Sequence, residues 1–222
     1  MVGVEPKGKV KTEWSSDFAY AVGLIVTDGS LSKDGRHISL TSKDEDQIEN
    51  FQKALRIKYH VGKKAGGAIK EKKYFVIQIG DVLFYKFLLD IGLMPNKSKI
   101  IGEVKIPPKY FFDFLRGSFD GDGCFYSYFD PRWKSSFMFY TVFVSASRVH
   151  ILWIQKEIFK RLGINGHITS DTKKSTLRLN YAKGDSSKIL KSMYYNKNVV
   201  CLSRKRLKIE KALLSEGKQL PN

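Results

Sequence analysis

Cysteine is nearly absent from this chain. Cys124 and Cys201 lie far apart with no CxxC spacing, so neither a disulfide framework nor a zinc knuckle is expected. Histidine is as scarce. His37, His60, His150 and His167 are scattered without HxxxH or HxH spacing, which argues against a histidine metal centre and places each as a surface or groove residue. No apolar run approaches the roughly 18–20 residues of a membrane span. Residues 1–14 lack the apolar stretch of a secretory signal, so an intracellular protein with no membrane association is expected. Acidic residues are the minority: 22 Asp and Glu face 39 Lys and Arg, a net charge of +17 with a pI near 9.7. Such an excess repels itself unless a polyanion relieves it, and nucleic acid is the natural partner. No basic amphipathic helix or polybasic tail points to anionic lipid instead. With 42% hydrophobic residues, the chain can bury a real core.

What is present falls into an order that occurs twice. Residues 1–14 read as a polar lead-in. "SSDFAYAVGLIVTDG" reads as a helix with a serine cap, followed by a hairpin through "KDG" in which Ile38 and Leu40 alternate with His37, Ser39 and Thr41. "KDEDQIENFQKALRIKY" has acids at its start, bases at its end and a stripe of Ile48, Phe51, Leu55 and Tyr59, the pattern of an amphipathic helix aligned with its dipole. Two strands, "GKKAGGAIK" and "KYFVIQIG", and the helix "DVLFYKFLLDIGL" complete a first series over 15–104. The series restarts at "IPPKY", with prolines at a helix entrance. "KYFFDFLRGSFDGDG", "CFYSYFD", "SSFMFYTVFVSAS", "RVHILWIQKEIFKRLGI", "GHITSDT", "STLRLNYAK" and "DSSKILKSMYY" repeat helix, strand, strand, helix, strand, strand, helix. "RKRLKIEKALL" adds a last helix, so the second half covers 105–222. Gly80-Asp81 and Gly184-Asp185 each leave a strand into a helix, a further match between the halves.

Both opening helices end in Asp-Gly, at Asp28-Gly29 and Asp122-Gly123. Ala19, Gly23 and Thr27 form a ridge of small residues at i, i+4 and i+8, and Gly117 and Gly121 make a GxxxG spacing. Glycine inside a helix costs about 1 kcal/mol relative to alanine, and close packing of two backbones is the compensating gain. If the helices pack there in like orientation, Asp28 and Asp122 meet at two negative dipole ends. Mutual repulsion disfavours that arrangement, whereas hard divalent cations favour it. A Mg²⁺-type site between the halves is therefore expected, suited to phosphodiester hydrolysis.

"AVGLIVTDG" (21–29) and "LRGSFDGDG" (115–123) resemble the two copies of the LAGLIDADG motif of homing endonucleases, in the single-chain, two-motif arrangement. "GLMPNKS" (92–98) also looks like the family, and the repeated αββαββα order covers about residues 15–195. The resemblance implies an α+β fold of two pseudo-symmetric halves. Each carries a curved four-stranded antiparallel sheet forming a saddle over double-stranded DNA, with the motif helices packed at the centre. It implies a monomeric, site-specific endonuclease with no obligate protein partner, acting at the host or organelle genome. Such an enzyme cuts both strands across the minor groove of a long site and leaves 3′ overhangs. It implies Asp28 and Asp122 as the catalytic, metal-binding acids, with the backbone carbonyls of Thr27 and Gly121 as further metal donors. Two or three Mg²⁺ ions are implied, Mn²⁺ substituting and Ca²⁺ binding without cleavage. The sixth motif position, often acidic, is Val26 in one copy and Asp120 in the other, so Asp120 competes with Asp122. Lys97 and Lys205 stand where a basic residue assists at the phosphates. Ser42 and Ser145 stand where a polar residue ends the second strand. A non-cleaving DNA-binding regulator or an intron RNA maturase on the same scaffold is the alternative.

Alternation along the strands selects the residues expected to face DNA. They are Ser30, Ser32, His37, Ser39, Thr41, Tyr74 and Gln78 in the first half, and Thr169, Thr176, Arg178 and Asn180 in the second. Arg178 suits guanine, and Asn180 or Gln78 adenine. Lys63, Lys64, Lys70, Lys72, Lys73, Lys134, Lys173 and Lys174 cluster at strand ends, where phosphates pass. Strands 124–129 and 137–145 are apolar on both faces, which leaves their groove side open. Two saddles of about one duplex turn each imply a site of roughly 20 base pairs.

Overall fold

The computed structural model describes residues 8–65, 73–133, 136–171 and 175–221. Lys70, Lys72, Lys134, Lys173 and Lys174, expected at the phosphates, lie outside the described residues. The first half runs α1 (Ser16–Thr27), β1 (Gly29–Leu31), β2 (His37–Ser42), α2 (Glu45–Leu55), β3 (Val61–Lys64), β4 (Tyr74–Gly80) and α3 (Val82–Asp90). The second runs α4 (Phe111–Gly121), β5 (Cys124–Phe129), β6 (Phe137–Ser145), α5 (Arg148–Leu162), β7 (His167–Asp171), β8 (Thr176–Ala182) and α6 (Lys183–Met193), with α7 (Ser203–Leu214) at its end. Two antiparallel sheets result, in orders β1-β2-β4-β3 and β5-β6-β8-β7. The expected α+β fold of two equivalent halves is thus present. No helix among the described residues is long and apolar enough to cross a membrane.

Local chemistry sets the element ends. The Ser15 hydroxyl accepts from the Phe18 amide at 3.1 Å and starts α1. Asp81 starts α3 by accepting from the Phe84 amide at 2.9 Å. The other carboxylate oxygen of Asp81 accepts from the Lys9 and Val10 amides, and Val10 is buried. The described part of the lead-in is therefore tied to the first half. The Gly-Asp parallel also breaks. The last helix of the second series begins at Lys183, so Gly184 and Asp185 lie in its first turn and Asp185 is not its cap. The stripe of α2 ends at Leu55 rather than Tyr59, because Arg56 adopts a left-handed cap with φ 54° and its amide turns back to Gln52 and Lys53.

One face of each sheet packs on helices: α2 and α3 cover the first, α5 and α6 the second. α1 and α4 pack directly on each other between the sheets. Phe18 through Val26 of α1 are all buried, which is why its sequence shows so little amphipathic pattern.

Arg116 lies in α4 with no exposure at all. Its guanidinium donates to the carbonyls of Val200 (2.9 Å) and Met193 (2.5 Å) and to the Asp113 carboxylate (2.8 Å). Asp113 also accepts from the Tyr195 hydroxyl. This network fastens the 193–200 connection, and hence α7, to the motif helix. Arg116→Met leaves the buried Asp113 carboxylate without its cationic partner and two buried carbonyls without their donor, and is expected to lower unfolding free energy by about 3–5 kcal/mol in urea titration. Unchanged stability would show the network to be dispensable.

Candidate active site and nucleic-acid interface

The seam between α1 and α4 is built on absent side chains. A Cβ on Gly117 would lie 2.0 Å from the Tyr20 carbonyl oxygen, and one on Gly23 would lie 2.2 Å from that of Phe114. Both obstacles are backbone, so only glycine fits. A Cβ on Gly121 would strike the Thr27 side chain and come 2.9 Å from the Asp28 carboxylate. Ala19 is fully buried on the same ridge. The two helices thus end side by side, with Asp28 and Asp122 each as the residue that caps the last turn.

Each aspartate sits at a helix C-terminus, where the dipole disfavours negative charge. Burial raises the Asp28 carboxyl to about 6, opposed by the Gln47 hydrogen bond and assisted by the Asp122 charge. Asp122, more open, is also raised by desolvation, opposed by Lys205 and Lys97. Asp120 goes elsewhere. Fully buried, it accepts from the Tyr20 hydroxyl (2.9 Å) and the Leu202 amide (2.6 Å). It holds α1 and the segment before α7, so the competing acid has a structural place, and Asp122 is the one at the seam mouth.

Lys97 and Lys205 are only 4% and 8% exposed. Lys97, in a 3-10 turn over Lys97–Lys99, donates to the Gly29 carbonyl. Lys205 donates to the equivalent Gly123 carbonyl (2.7 Å) and to those of Phe119 and Asp120, with a long 3.4 Å contact to Gly121. Each ammonium therefore closes the Asp-Gly turn of its own half. Burial lowers both to about 8, while Asp122 and Asp28 for Lys97, and Asp120 for Lys205, hold their protons.

The segments carrying these lysines dock across the seam. After α3, the Ile101 and Gly102 carbonyls meet the Ser147 hydroxyl (2.5 Å) and His150 Nδ1 (2.8 Å) of the second half. At the start of α7, the Ser203 amide donates to Asp46, and Arg204 forks onto Asp44 at 2.8 and 2.7 Å, both acids belonging to the first half. His150 is thus a buried docking residue, not the surface residue its sequence context suggested.

Gln47 was not singled out from sequence. It is 2% exposed and donates to Asp28 at 2.6 Å, its own carbonyl accepting from Ser42 at 3.0 Å. Its signal was there: an amide on the buried face of α2, one and two turns before Phe51 and Leu55. The Ser42 expectation is corrected accordingly. Ser42 alternates with Ile38 and Leu40 on the helix-covered face and does not face the groove. Ser145 is corrected likewise; it pairs with Leu177 and accepts from the Ser147 amide. A cavity of about 180 Å³ beside the seam is lined by Thr27, Ser118, Asp122, Ser145, His150 and Thr176 among others.

The other expected groove residues lie on the uncovered faces. Ser30, Ser39 and Gln78 form one row in register across β1, β2 and β4, flanked by His37 and Thr41. Tyr74 pairs with Lys64. Ser32 lies just past β1 in the exposed turn. Thr169 pairs with Arg178, and the Asn180 amide donates to the Thr169 hydroxyl at 3.1 Å. Thr176 alternates onto the same face. Pairing also assigns the two strands left open. Cys124, Tyr126 and Tyr128 of β5 and Met138, Tyr140 and Val144 of β6 face outward, with Val142 on the same side but buried among its neighbours, while Phe139, Thr141 and Phe143 are buried under α5 and α6.

Divalent cations fit the donor set. Among the described residues no cluster of three or more His, Cys, Asp or Glu exists, which excludes a closed cage of protein ligands. Two carboxylates and nearby carbonyls at a cleft mouth suit Mg²⁺, which keeps several waters and takes oxygens from a phosphate substrate.

No protein-family model matches the sequence, and no curated protein matches it. Solved structures do match the fold. The chain is similar to I-LtrWI, a LAGLIDADG homing endonuclease bound to target DNA, at 11% identity over 90% of each chain with a TM-score of 0.58. It is similar to the homing endonuclease I-DmoI at 15% identity, over 82% of this chain and 96% of that one, with a TM-score of 0.53. It is also similar to the N-terminal LAGLIDADG domain of DUF199/WhiA, at 16% identity over 84% and 85% of the two chains, with a TM-score of 0.54. This chain therefore has the fold of the LAGLIDADG proteins, with both halves in one chain.

Proposed function

We propose that this protein is a site-specific, Mg²⁺-dependent double-strand DNA endonuclease acting as a monomer. The single observation that supports it best is the meeting of Asp28 and Asp122 across a glycine seam, each beside a buried lysine on the carbonyl after the acid. Such an arrangement is costly as ordinary structure and useful only where negative phosphates and cations arrive together. Asp28, Asp122 and the carbonyls of Thr27 and Gly121 would hold the metal ions. When bound, Mg²⁺ supplies activation of water and stabilisation of the leaving oxygen. The chain's own residues do the rest. Gln47, braced by Ser42, orients the Asp28 carboxylate. Lys97 and Lys205 hold positive charge under the two scissile phosphates. The sheets grip the flanking duplex, so that one phosphate of each strand lies over each acid.

Similar structures support divalent-metal use in this fold, since I-DmoI is described in complex with DNA and Mn, and with DNA and Ca. A randomised duplex library incubated with Mg²⁺ tests the reading. Recovered molecules should share one motif of roughly 20 base pairs, cut on both strands with 3′ overhangs. A bound but never cut consensus would instead identify the non-cleaving regulator; preference for folded RNA would identify the maturase. Retention of both seam acids favours the nuclease.

Binding should be steeply salt-dependent. If the saddles neutralise six to ten phosphates, affinity falls roughly 10³–10⁵-fold between about 50 and 200 mM salt, through counterion release. A flat response in fluorescence anisotropy would argue against a phosphate-clamping saddle.

A further inference from the structure

The two open sheet faces hold different chemistry at equivalent positions. Register fixes the equivalence. The row Ser30–Ser39–Gln78 corresponds to Cys124–Val142–Asn180, Thr41 corresponds to Val144, and His37 to Tyr140. The first face is lined with hydroxyls; on the second, β5 and β6 are apolar and aromatic, while β7 and β8 carry Thr169, Thr176, Arg178 and Asn180. Tyr126 and Tyr128 remain 38% and 40% exposed, so this is not a core face. Exposed apolar surface inside a basic groove needs a partner with apolar groups of its own.

The geometry of the rings narrows that partner. Tyr126, Tyr128 and Tyr140 stack on one another, with centroids 5.1–6.4 Å apart and planes within 15°. The π faces that meet within the stack are closed to an unstacked base, so ring edges make up a larger share of what the platform offers. This disfavours the stacking mode of single-stranded nucleic acid. In the major groove of a duplex, the apolar feature that distinguishes base pairs is the thymine C5-methyl group.

We propose that β5 and β6 of the second sheet read their part of the half-site chiefly through thymine C5-methyls, packed against Tyr126, Tyr140 and Val144, while the equivalent strands of the first sheet read by hydrogen bonds. This rests on the DNA reading above. To test it, the wild-type chain is used in Ca²⁺ to select bound duplexes from a random library. The selected duplex is then remade with deoxyuridine for thymidine in one half-site at a time. Loss of methyls in the half-site under the second sheet should weaken binding about fourfold per methyl contacted, and loss in the other half by less than about twofold. The double variant Tyr140→His/Val144→Thr, which copies His37 and Thr41 of the first sheet, should abolish much of the difference. Equal sensitivity of both halves, or none, overturns the proposal while leaving DNA recognition intact. Absence of any enriched duplex overturns the DNA reading itself. Single-stranded RNA outcompeting the selected duplex overturns both.

Discussion

Asp122→Asn, like Asp28→Asn, is expected to abolish double-strand cleavage, by at least about 10³-fold, with target binding retained or tightened. The amide keeps the shape of the side chain and removes the charge that would hold the cations. Binding improves because a negative group leaves a groove that receives phosphates. Full cutting of both strands by either variant would remove the assignment of that residue. The same change at Asp28 has a second consequence, separable by pH. The folded Asp28 carboxyl is raised to about 6 from 3.8, chiefly by burial. Below about pH 3.8 it is protonated folded and unfolded, and contributes no difference. Between 3.8 and 6 the unfolded chain releases its proton first, and folding weakens. Above 6 the full cost is present, on the order of 2–3 kcal/mol. Asn carries no such cost and still offers Gln47 an acceptor. The Tm of Asp28→Asn in the absence of metal should therefore exceed that of the wild type at pH 7, with the gain vanishing near pH 4. A Tm equal to or below that of the wild type at pH 7 would show that burial of this carboxylate costs nothing.

Gly117→Val should leave no folded protein, and Gly117→Ala little. The added Cβ would stand 2.0 Å from the Tyr20 carbonyl oxygen and 3.1 Å from the Gly23 Cα. Neither can rotate away, as both are backbone of a helix buried on every side. The helices would have to part, opening voids along the central core. Overpacking ordinarily costs about 1–3 kcal/mol, and more where backbone is the obstacle. A loss above about 5 kcal/mol exhausts the stability of many domains. Gly184→Ala provides the contrast. A Cβ there meets nothing within 4 Å, and the position lies in the first turn of α6, so this variant should gain up to about 1 kcal/mol from helix propensity. Urea titration of both variants checks the pair. Wild-type stability in Gly117→Ala would refute the close seam, and with it the meeting of the two acids.

The repeated element order was readable because it depends on local signals. The alternation of Ile38 and Leu40, the acid-to-base gradient of α2 and the prolines before α4 act within a few residues of themselves. The glycine spacings were readable for a related reason: glycine inside a helix is costly enough to need a partner. Alignment with Asp28, immediately before the glycine, pointed to Asp122 over Asp120, but the place of Asp120 was not readable; the two differ by about half a helical turn. That offset turns one side chain inward to Tyr20 and Leu202 and leaves the other at the opening.

The sequence by itself determined a basic, duplicated α+β chain with two motif helices, and the alternating faces of most strands. These follow from periodicity and charge, which the chain carries residue by residue. Only the tertiary structure decided that Gln47 holds Asp28, that Ser42 and Ser145 turn away from the groove, and that the two buried lysines belong to segments docked across the seam. It also assigned the faces of β5 and β6, because strands apolar on both sides take their orientation from the helices that cover them and from their partners in the ladder.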